Sequence, residues 1–404
     1  MTYEPLAKLY YKDKSIYNKL YAERFNSEFA YHFPFQISGC DAFFIIDYRI
    51  SKKIEDIYYI SHQLDVILKD FPPIAIESYI NKNLIDEIML TNDIEGVYST
   101  RKEISQIIEM PDNSKKKVRL KGLVKKYQKL VNHEKTPLSS CDDIRKLYDE
   151  IVLNEIEEDN KPDGEIFRAE SVSVCSATDK EKHKGLYPEK NLIDFLNKSL
   201  DFLNREDNIG SLIKISVFHY LFGYAHPFYD GNGRTSRFIS SYLLSDILNQ
   251  LIALRISYTI KNDKNKYYKA FDICNDPKNK GDITPFVYLF IDIIKKSAEN
   301  SLEKLNFLKQ RLDYYSEIHH NILEFFENQL QSEIVYTLIQ NALFSRKGVS
   351  MEELKQHLVF SAATIRNNIK ALTNRGLIID IEREGNKLLY TLSLDSFEEF
   401  AKTI

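Results

Sequence analysis

Cysteine is sparse in this 404-residue chain: Cys40, Cys141, Cys175 and Cys274 are the four present, and no two form a CxxC pair. That scatter argues against a disulfide framework or a zinc site and fits thiols kept reduced inside a cell. An excess of one charge is lacking too. Lys and Arg total 55 against 59 Asp and Glu, a net charge of -4, so the chain as a whole has no electrostatic case for gripping a polyanion, while a local basic patch stays open. Long apolar runs are missing: stretches such as Phe286 to Ile294 stop well short of a membrane span, and the N-terminus MTYEPLAKLYYKDK carries charge where a signal peptide needs an apolar core. Low complexity is nearly absent. The expectation is a soluble, cytoplasmic protein with no membrane partner.

What is present suits globular folding, with 43% hydrophobic and 28% charged residues. At roughly 150 residues per domain the length gives two to three domains. The first hundred residues are rich in Tyr and Phe without a sustained period until Ile76 to Gly96, where Ile80, Leu84, Ile85, Ile88 and Met89 recur at helical spacing. Met110 to Glu134 is basic. Pro111, Asp112 and Asn113 mark a loop there, and Lys117, Lys121, Lys125 and Lys129 sit one turn apart as a solvated helical face. A helix is expected from Cys141 to Ile156, a turn at Pro162-Asp163-Gly164, and a hairpin strand from Phe167 to Val174, where Val172 and Val174 alternate.

Helical signals resume at Asn191, continue through Leu212 to Tyr224, stop at His226-Pro227, restart after Gly233 and run through Leu248. A long helical pattern from Pro285 to Leu330 leads into three helices, Ser332 to Leu343, Met351 to Leu358 and Ser361 to Thr373. Two strands follow, Leu377 to Glu382 and Lys387 to Leu392, joined at Glu384-Gly385-Asn386. That order is the order of a winged helix-turn-helix.

The most informative residues are His226 to Arg237, reading HPFYDGNGRTSR between two helical segments. Gly231-Asn232-Gly233 is a turn feeding a helix, so its N–H groups and the helix N-terminus are placed to converge on a phosphate. Arg234 and Arg237 stand three apart, and the expectation is that both project from one face toward the same anion. Two arginines at a helix start oppose the macrodipole, which makes sense if phosphate normally sits there. Asp230 is a hard oxygen ligand suited to a phosphate-bridging Mg²⁺. His226 is a group able to accept a hydroxyl proton at neutral pH, with Phe228 pointing into the core to fix the loop. A plain helix-loop-helix with arginines on surface acids is the alternative that these residues leave open.

The whole string resembles the Fic-domain signature HxFx(D/E)GNGRxxR, met at His226, Phe228, Asp230, Gly231, Asn232, Gly233, Arg234 and Arg237. The resemblance implies transfer of AMP from ATP to a protein hydroxyl. His226 is then the general base, Asp230 the Mg²⁺ ligand, and Gly231, Asn232, Gly233, Arg234, Thr235, Ser236 and Arg237 the triphosphate site. Doc-type phosphotransferases lack the complete glycine motif, which favours AMP transfer. Phe167-Arg168 followed by Val172-Ser173-Val174-Cys175 resembles the family's flap hairpin over the nucleotide, although composition alone reads equally as an ordinary hairpin. Tyr267-Tyr268 with Asn275 matches the spacing of adenosine contacts in some Fic proteins; read without the family, the Tyr pair is core.

Upstream, Thr91-Asn92-Asp93-Ile94-Glu95-Gly96 resembles the inhibitory motif (S/T)xxxE(G/N). Thr91 and Glu95 share a helical face and Gly96 ends the helix. Read without the family, the six residues are a capped surface helix; the resemblance implies an inhibitory helix whose Glu95 carboxylate can pair with Arg237 and withhold it from the γ-phosphate.

The fold implied is mainly α: a Fic-type helical core with a β-hairpin flap, an N-terminal region with an inhibitory helix before it and a winged helix-turn-helix domain after it. The expected boundaries are 1–110, 111–300, 301–330 as a linker helix, and 331–404. The first reading is an autoinhibited protein adenylyltransferase using ATP and Mg²⁺, acting on a Ser, Thr or Tyr hydroxyl of a target protein and on itself, with removal of AMP as a further activity of such members. The alternative is a nucleotide-sensing winged-helix regulator, for which Arg366, Lys370 and Arg375 offer phosphate contacts to DNA; protein binding or plain packing of this module stays equally open. A homodimer is a further candidate assembly.

Overall fold

The computed structural model describes residues 3–111, 118–175, 181–345, 347–385 and 387–404. The side chains of Val174 and Cys175 lie outside that description, as do the expected loop residues Asp112 and Asn113, Lys117 of the basic stripe, and Asn386 of the C-terminal turn. The protein is mainly helical and divides into two compact units, Met1–His62 with Leu84–Glu299, and Gln63–Asn83 with Asn300–Ile404. The helices Tyr48–Leu68, Pro73–Ile94 and Thr284–Asn321 contribute turns to both.

The first unit is organised around the Ser211–Ala225 helix, which is apolar on every side and buried along nearly its whole length. The Glu189–Asn204 and Asn232–Ser245 helices pack on it. The Asn232–Ser245 helix buries five small hydroxyl residues, and most of them satisfy themselves: Thr235 Oγ1 donates to Gly231 O at 2.9 Å, Ser240 Oγ to Ser236 O at 3.0 Å and Ser245 Oγ to Tyr242 O at 2.7 Å.

Within the first unit three elements differ from the sequence expectation. An N-terminal hairpin, Ala30–Ile37 with Cys40–Ile45, was not foreseen. Its period-two signal is hidden by Pro34 and by a register shift between His32 and Gln36, while Tyr31, Phe33 and Phe44 cluster around Phe202. The helix expected to reach Ile156 stops at Ile151, where Val152 leaves helical geometry, and a short 3₁₀ turn, Leu153–Glu155, follows. The strand expected from Phe167 is only Ser173–Cys175, paired with Glu181–Lys184. Upstream of it the chain is curled, because one Glu189 carboxylate accepts the N–H groups of Glu165, Ile166 and Phe167 at 2.9, 2.8 and 2.7 Å.

In the second unit the long helix ends at Asn321, and Asn328 caps a new one, Gln329–Phe344, with its side chain on Gln331 N. Then come Val349–Ser350, the helices Met351–Leu358 and Ala362–Asn374, the strands Ile379–Glu384 and Lys387–Leu392, and a last helix, Leu394–Ala401, that the sequence reading did not contain. Lys387–Leu392 lies between the other two strands in a three-stranded antiparallel sheet.

Candidate active site

The loop between the two central helices is held rigidly from inside. Asn232 accepts from Phe228 N at 3.0 Å and donates to Phe228 O at 2.7 Å. Phe228 is fully buried and stacks on Tyr148 with ring centroids 3.6 Å apart. At one end His226 sits in the left-handed region with φ 51°, and at the other Gly231 has φ 81°.

His226 opens onto a cavity of about 770 Å³ whose walls include Glu95, Gly233, Ser236 and Arg237. Burial pushes its imidazole down to about 4, with the His183 and Arg168 charges adding to the effect and Glu95 opposing it. The ring is therefore neutral at pH 7 and able to accept a proton. His183, a residue the sequence gave no reason to single out, is the hairpin's contribution to the cavity wall, and its Nε2 donates to Tyr224 O at 2.6 Å. Val172 and Ser173 are not in that wall.

Arg237 is 1% exposed and reaches the end of the Pro73–Ile94 helix. Its Nη1 meets Glu95 Oε1 at 2.8 Å, its Nε donates to Thr91 Oγ1 at 2.7 Å and its Nη2 to Thr91 O at 2.9 Å. Thr91 is fully buried, and Gly96, at φ 76°, turns the chain away after Glu95. A Cβ on Gly233 would fall 2.0 Å from Glu95 Oε1, so a side chain there displaces the Glu95 carboxylate. The Glu95 carboxylate thus rests on the first turn of the Asn232–Ser245 helix, where the helix field favours an anion.

The sequence reading that Arg234 and Arg237 aim at one anion is corrected by the structure. Arg234, 2% exposed, turns to Glu155 on the 3₁₀ turn at 2.9 Å, and with Asp230 it lines a second cavity of about 1000 Å³ that includes neither His226 nor Arg237. Each buried guanidinium needs its own carboxylate, and the two carboxylates come from different elements. Lys121, Lys125 and Lys129 line this second cavity as well.

Tyr267, Tyr268 and Asn275 line the His226 cavity. The Tyr267 hydroxyl is tied inward to His219 Nε2 at 2.7 Å, whose Nδ1 bonds Ser240 Oγ at 2.7 Å, while Asn275 Oδ1 accepts from Tyr220 OH at 2.7 Å. Among the described residues no group of three or more His, Cys, Asp or Glu comes together to hold a metal. Asp230 is exposed; one of its oxygens accepts from Gly231 N and the other has no protein partner among the described residues. Cys40, Cys141 and Cys274 are free thiols.

Comparison with known proteins follows the same stretch. The Fic/DOC family profile matches residues 137–244. Protein adenylyltransferase Fic of Drosophila yakuba is 35% identical over 98 residues, 23% of this chain and 17% of that protein. The protein of the same name from Drosophila willistoni is 31% identical over 118 residues, 28% of this chain and 21% of that one. The chain thus matches about a fifth of the length of these curated relatives. A crystal structure of a Fic family protein from Desulfovibrio desulfuricans G20 superposes with a TM-score of 0.52 at 18% identity, covering 90% of this chain and 99% of that one. That likeness is one of fold. With the His226 to Arg237 loop inside the matched stretch, the chain carries a Fic domain.

Proposed function

We propose that the chain is a protein adenylyltransferase that moves AMP from ATP to a Ser, Thr or Tyr hydroxyl of a target protein and of itself, and that Glu95 holds it in a resting state. The observation that carries this reading is the pairing of Glu95 with Arg237 in the cavity that also contains a neutral His226. In the reaction the target hydroxyl oxygen forms a bond to the α-phosphorus, the bond from that phosphorus to the bridging oxygen of the pyrophosphate breaks, and the hydroxyl proton goes to the free nitrogen pair of His226. Gly233 and the helix start beneath it supply an anion seat, and Arg237 a guanidinium for the terminal phosphate. In the resting state Glu95 occupies both. ATP then binds in a pose whose α-phosphate is misaligned for in-line attack.

Mg²⁺ fits this reading only as an ion that arrives with phosphate. Asp230, which would hold it, is a single exposed carboxylate that lines the Arg234 cavity and not the His226 one. It would reach the phosphates from the far side of the loop, with the ion's other ligands coming from water and phosphate. When bound, such an ion neutralises charge on the leaving pyrophosphate. The adenosine assignment rests on Tyr267, Tyr268 and Asn275 sharing the cavity with His226.

The second reading, a nucleotide-sensing regulator that binds DNA, is favoured by one feature. Arg366 and Lys370 stand one turn apart and exposed on the Ala362–Asn374 helix. Arg375 does not join them: its guanidinium lies 4.0 Å from the Phe325 ring and pairs with Glu327. Radiolabelled ATP separates the two readings. Label on protein, raised by Glu95→Gly and lost in His226→Ala, supports transfer; salt-sensitive duplex binding without label supports the regulator. Pre-labelled protein incubated with the wild type reads removal of AMP. No helix among the described residues is long and apolar enough to cross a membrane.

A further inference from the structure

Arg168 is 1% exposed and has no carboxylate partner among the described residues. Its charge is met by backbone carbonyls instead. Nε donates to His226 O at 2.9 Å, Nη1 to Glu170 O at 2.5 Å, and Nη2 to Leu186 O at 2.8 Å and Ala225 O at 3.4 Å. Ala225 and His226 are the last carbonyls of the Ser211–Ala225 helix, the negative end of its dipole, which is where a buried cation is best tolerated. Glu170 and Leu186 flank the hairpin strands Ser173–Cys175 and Glu181–Lys184, one before the first and one after the second. A single guanidinium therefore joins both feet of the hairpin to the main chain of the base.

Gly185 is part of the same joint. A Cβ there would fall 2.4 Å from Arg168 Nη2 and 3.1 Å from His226 Cβ, so any side chain at this position pushes the guanidinium out of its seat. The Gly185 N–H donates to Val172 O at 3.0 Å and the Leu186 N–H to Ala225 O at 3.1 Å, which closes the hairpin onto the helix end around the buried side chain.

We infer that Arg168 is a positioning residue for the His226 base, bolting the left-handed main chain that aims the imidazole to both feet of the hairpin. The inference rests on the reading of His226 as the base. Arg168 touches neither reacting atom; it acts through the His226 backbone and through its charge. That charge adds to burial and to His183 in keeping the imidazole neutral, while Glu95 opposes it; Arg237, Lys264, Tyr267, Tyr268, Lys269 and Asp272 are the other titratable groups of the cavity wall.

The test uses the full-length chain carrying Glu95→Gly, into which Arg168→Met, Arg168→Lys or Gly185→Ala is introduced. Self-labelling from ATP, ATP binding, thermal unfolding and the NMR titration of the His226 ring are measured on each. Arg168→Met lowers the labelling rate about 10²-fold, the loss expected for a misplacement of about 1 Å, with ATP affinity unchanged. Its His226 titration moves to higher pH because a neighbouring cation is gone. Arg168→Lys keeps the titration near the parent's yet labels slowly, since one ammonium cannot span four carbonyls. Gly185→Ala displaces the guanidinium and reproduces the rate loss. A folded Arg168→Met protein that labels at the parent's rate overturns the inference, as does an identical His226 titration in the Met and Lys variants. If Arg168→Met does not fold, Arg168→Lys decides alone: slow labelling with an unmoved titration supports the role, and the parent's rate refutes it. A parent that labels nothing refutes the transferase reading instead, and the titrations still decide whether Arg168 governs His226.

Discussion

Replacing Glu95 by Gln removes one charge and almost no volume from the contact with Arg237. The bond it weakens is 2.8 Å long and joins a guanidinium 1% exposed to a carboxylate 27% exposed. A hydrogen bond between charged groups contributes roughly 1.5–3 kcal/mol, and the partial exposure of Glu95 places this one toward the lower end. About 1.5–2 kcal/mol of competition relieved corresponds to a gain of roughly ten- to thirtyfold in the fraction of protein whose Arg237 is free for phosphate. Glu95→Gly goes further, because it also vacates the space against Gly233, where no Cβ fits beside the carboxylate. The backbone cost of that glycine is small, since the helix proper ends at Ile94.

The assay is the initial rate of AMP incorporation from labelled ATP into the chain itself, for the wild type, Glu95→Gln, Glu95→Gly and each combined with Arg237→Ala. The expected order is wild type lowest, Gln intermediate and Gly highest, with both gains abolished by Arg237→Ala. Non-additivity in this cycle reads the pair directly. If Glu95→Gln stays as inactive as the wild type while Glu95→Gly is active, occlusion rather than charge is the inhibitory principle and the electrostatic argument fails.

His226→Ala in the Glu95→Gly background lowers incorporation by about 10²–10⁴-fold, the usual loss of a general base, and an unchanged rate removes His226 from the mechanism. Because the His226 ring is pushed down to about 4, it stays unprotonated as pH falls from 7 and loses base function only near that value. In the unfolded chain the same ring takes up a proton at its ordinary value near 6.5, so stability drops as pH falls from there toward 4; thermal melts across that window check the sign. Gly233→Ala breaks the Glu95 contact without raising incorporation, since the new methyl occupies the anion seat itself; a Gly233→Ala protein as active as Glu95→Gly refutes that seat. Glu155→Ala leaves Arg234 as an uncompensated charge in a site where the two side chains are 7% and 2% exposed, and costs roughly 3–5 kcal/mol in denaturant unfolding; a loss below about 1 kcal/mol would show the pair to be solvated.

The His226 to Arg237 loop was legible because its chemistry is written in consecutive letters: turn glycines, a histidine before them and arginines after. The helix carrying Thr91 and Glu95 was legible from its apolar spacing. Its link to a residue 146 positions away was not, and came from charge logic and resemblance. What stayed hidden shares a cause. Arg168 finds its partners among carbonyl oxygens, which every residue possesses and no letter announces. The divergence of Arg234 from Arg237 was invisible because a spacing of three fixes where two side chains start and not where the carboxylates that draw them are folded. The N-terminal hairpin was missed because Pro34 and the register shift break the alternation that marks a strand.

The left-handed geometry at the end of the Ser211–Ala225 helix sets folding against chemistry at one residue. Position 226 closes that helix with φ 51° and ψ 63°, a conformation that glycine adopts freely and that a side chain with a Cβ opposes by roughly 1–2 kcal/mol. The chain places an imidazole there all the same, and burial keeps it neutral. Of two equally inactive proteins, His226→Gly is therefore more stable than His226→Ala by roughly 1 kcal/mol, although neither holds the ring. Stability alone favours glycine at this position, and the histidine measures how much strain the fold carries to hold an imidazole in the cavity wall.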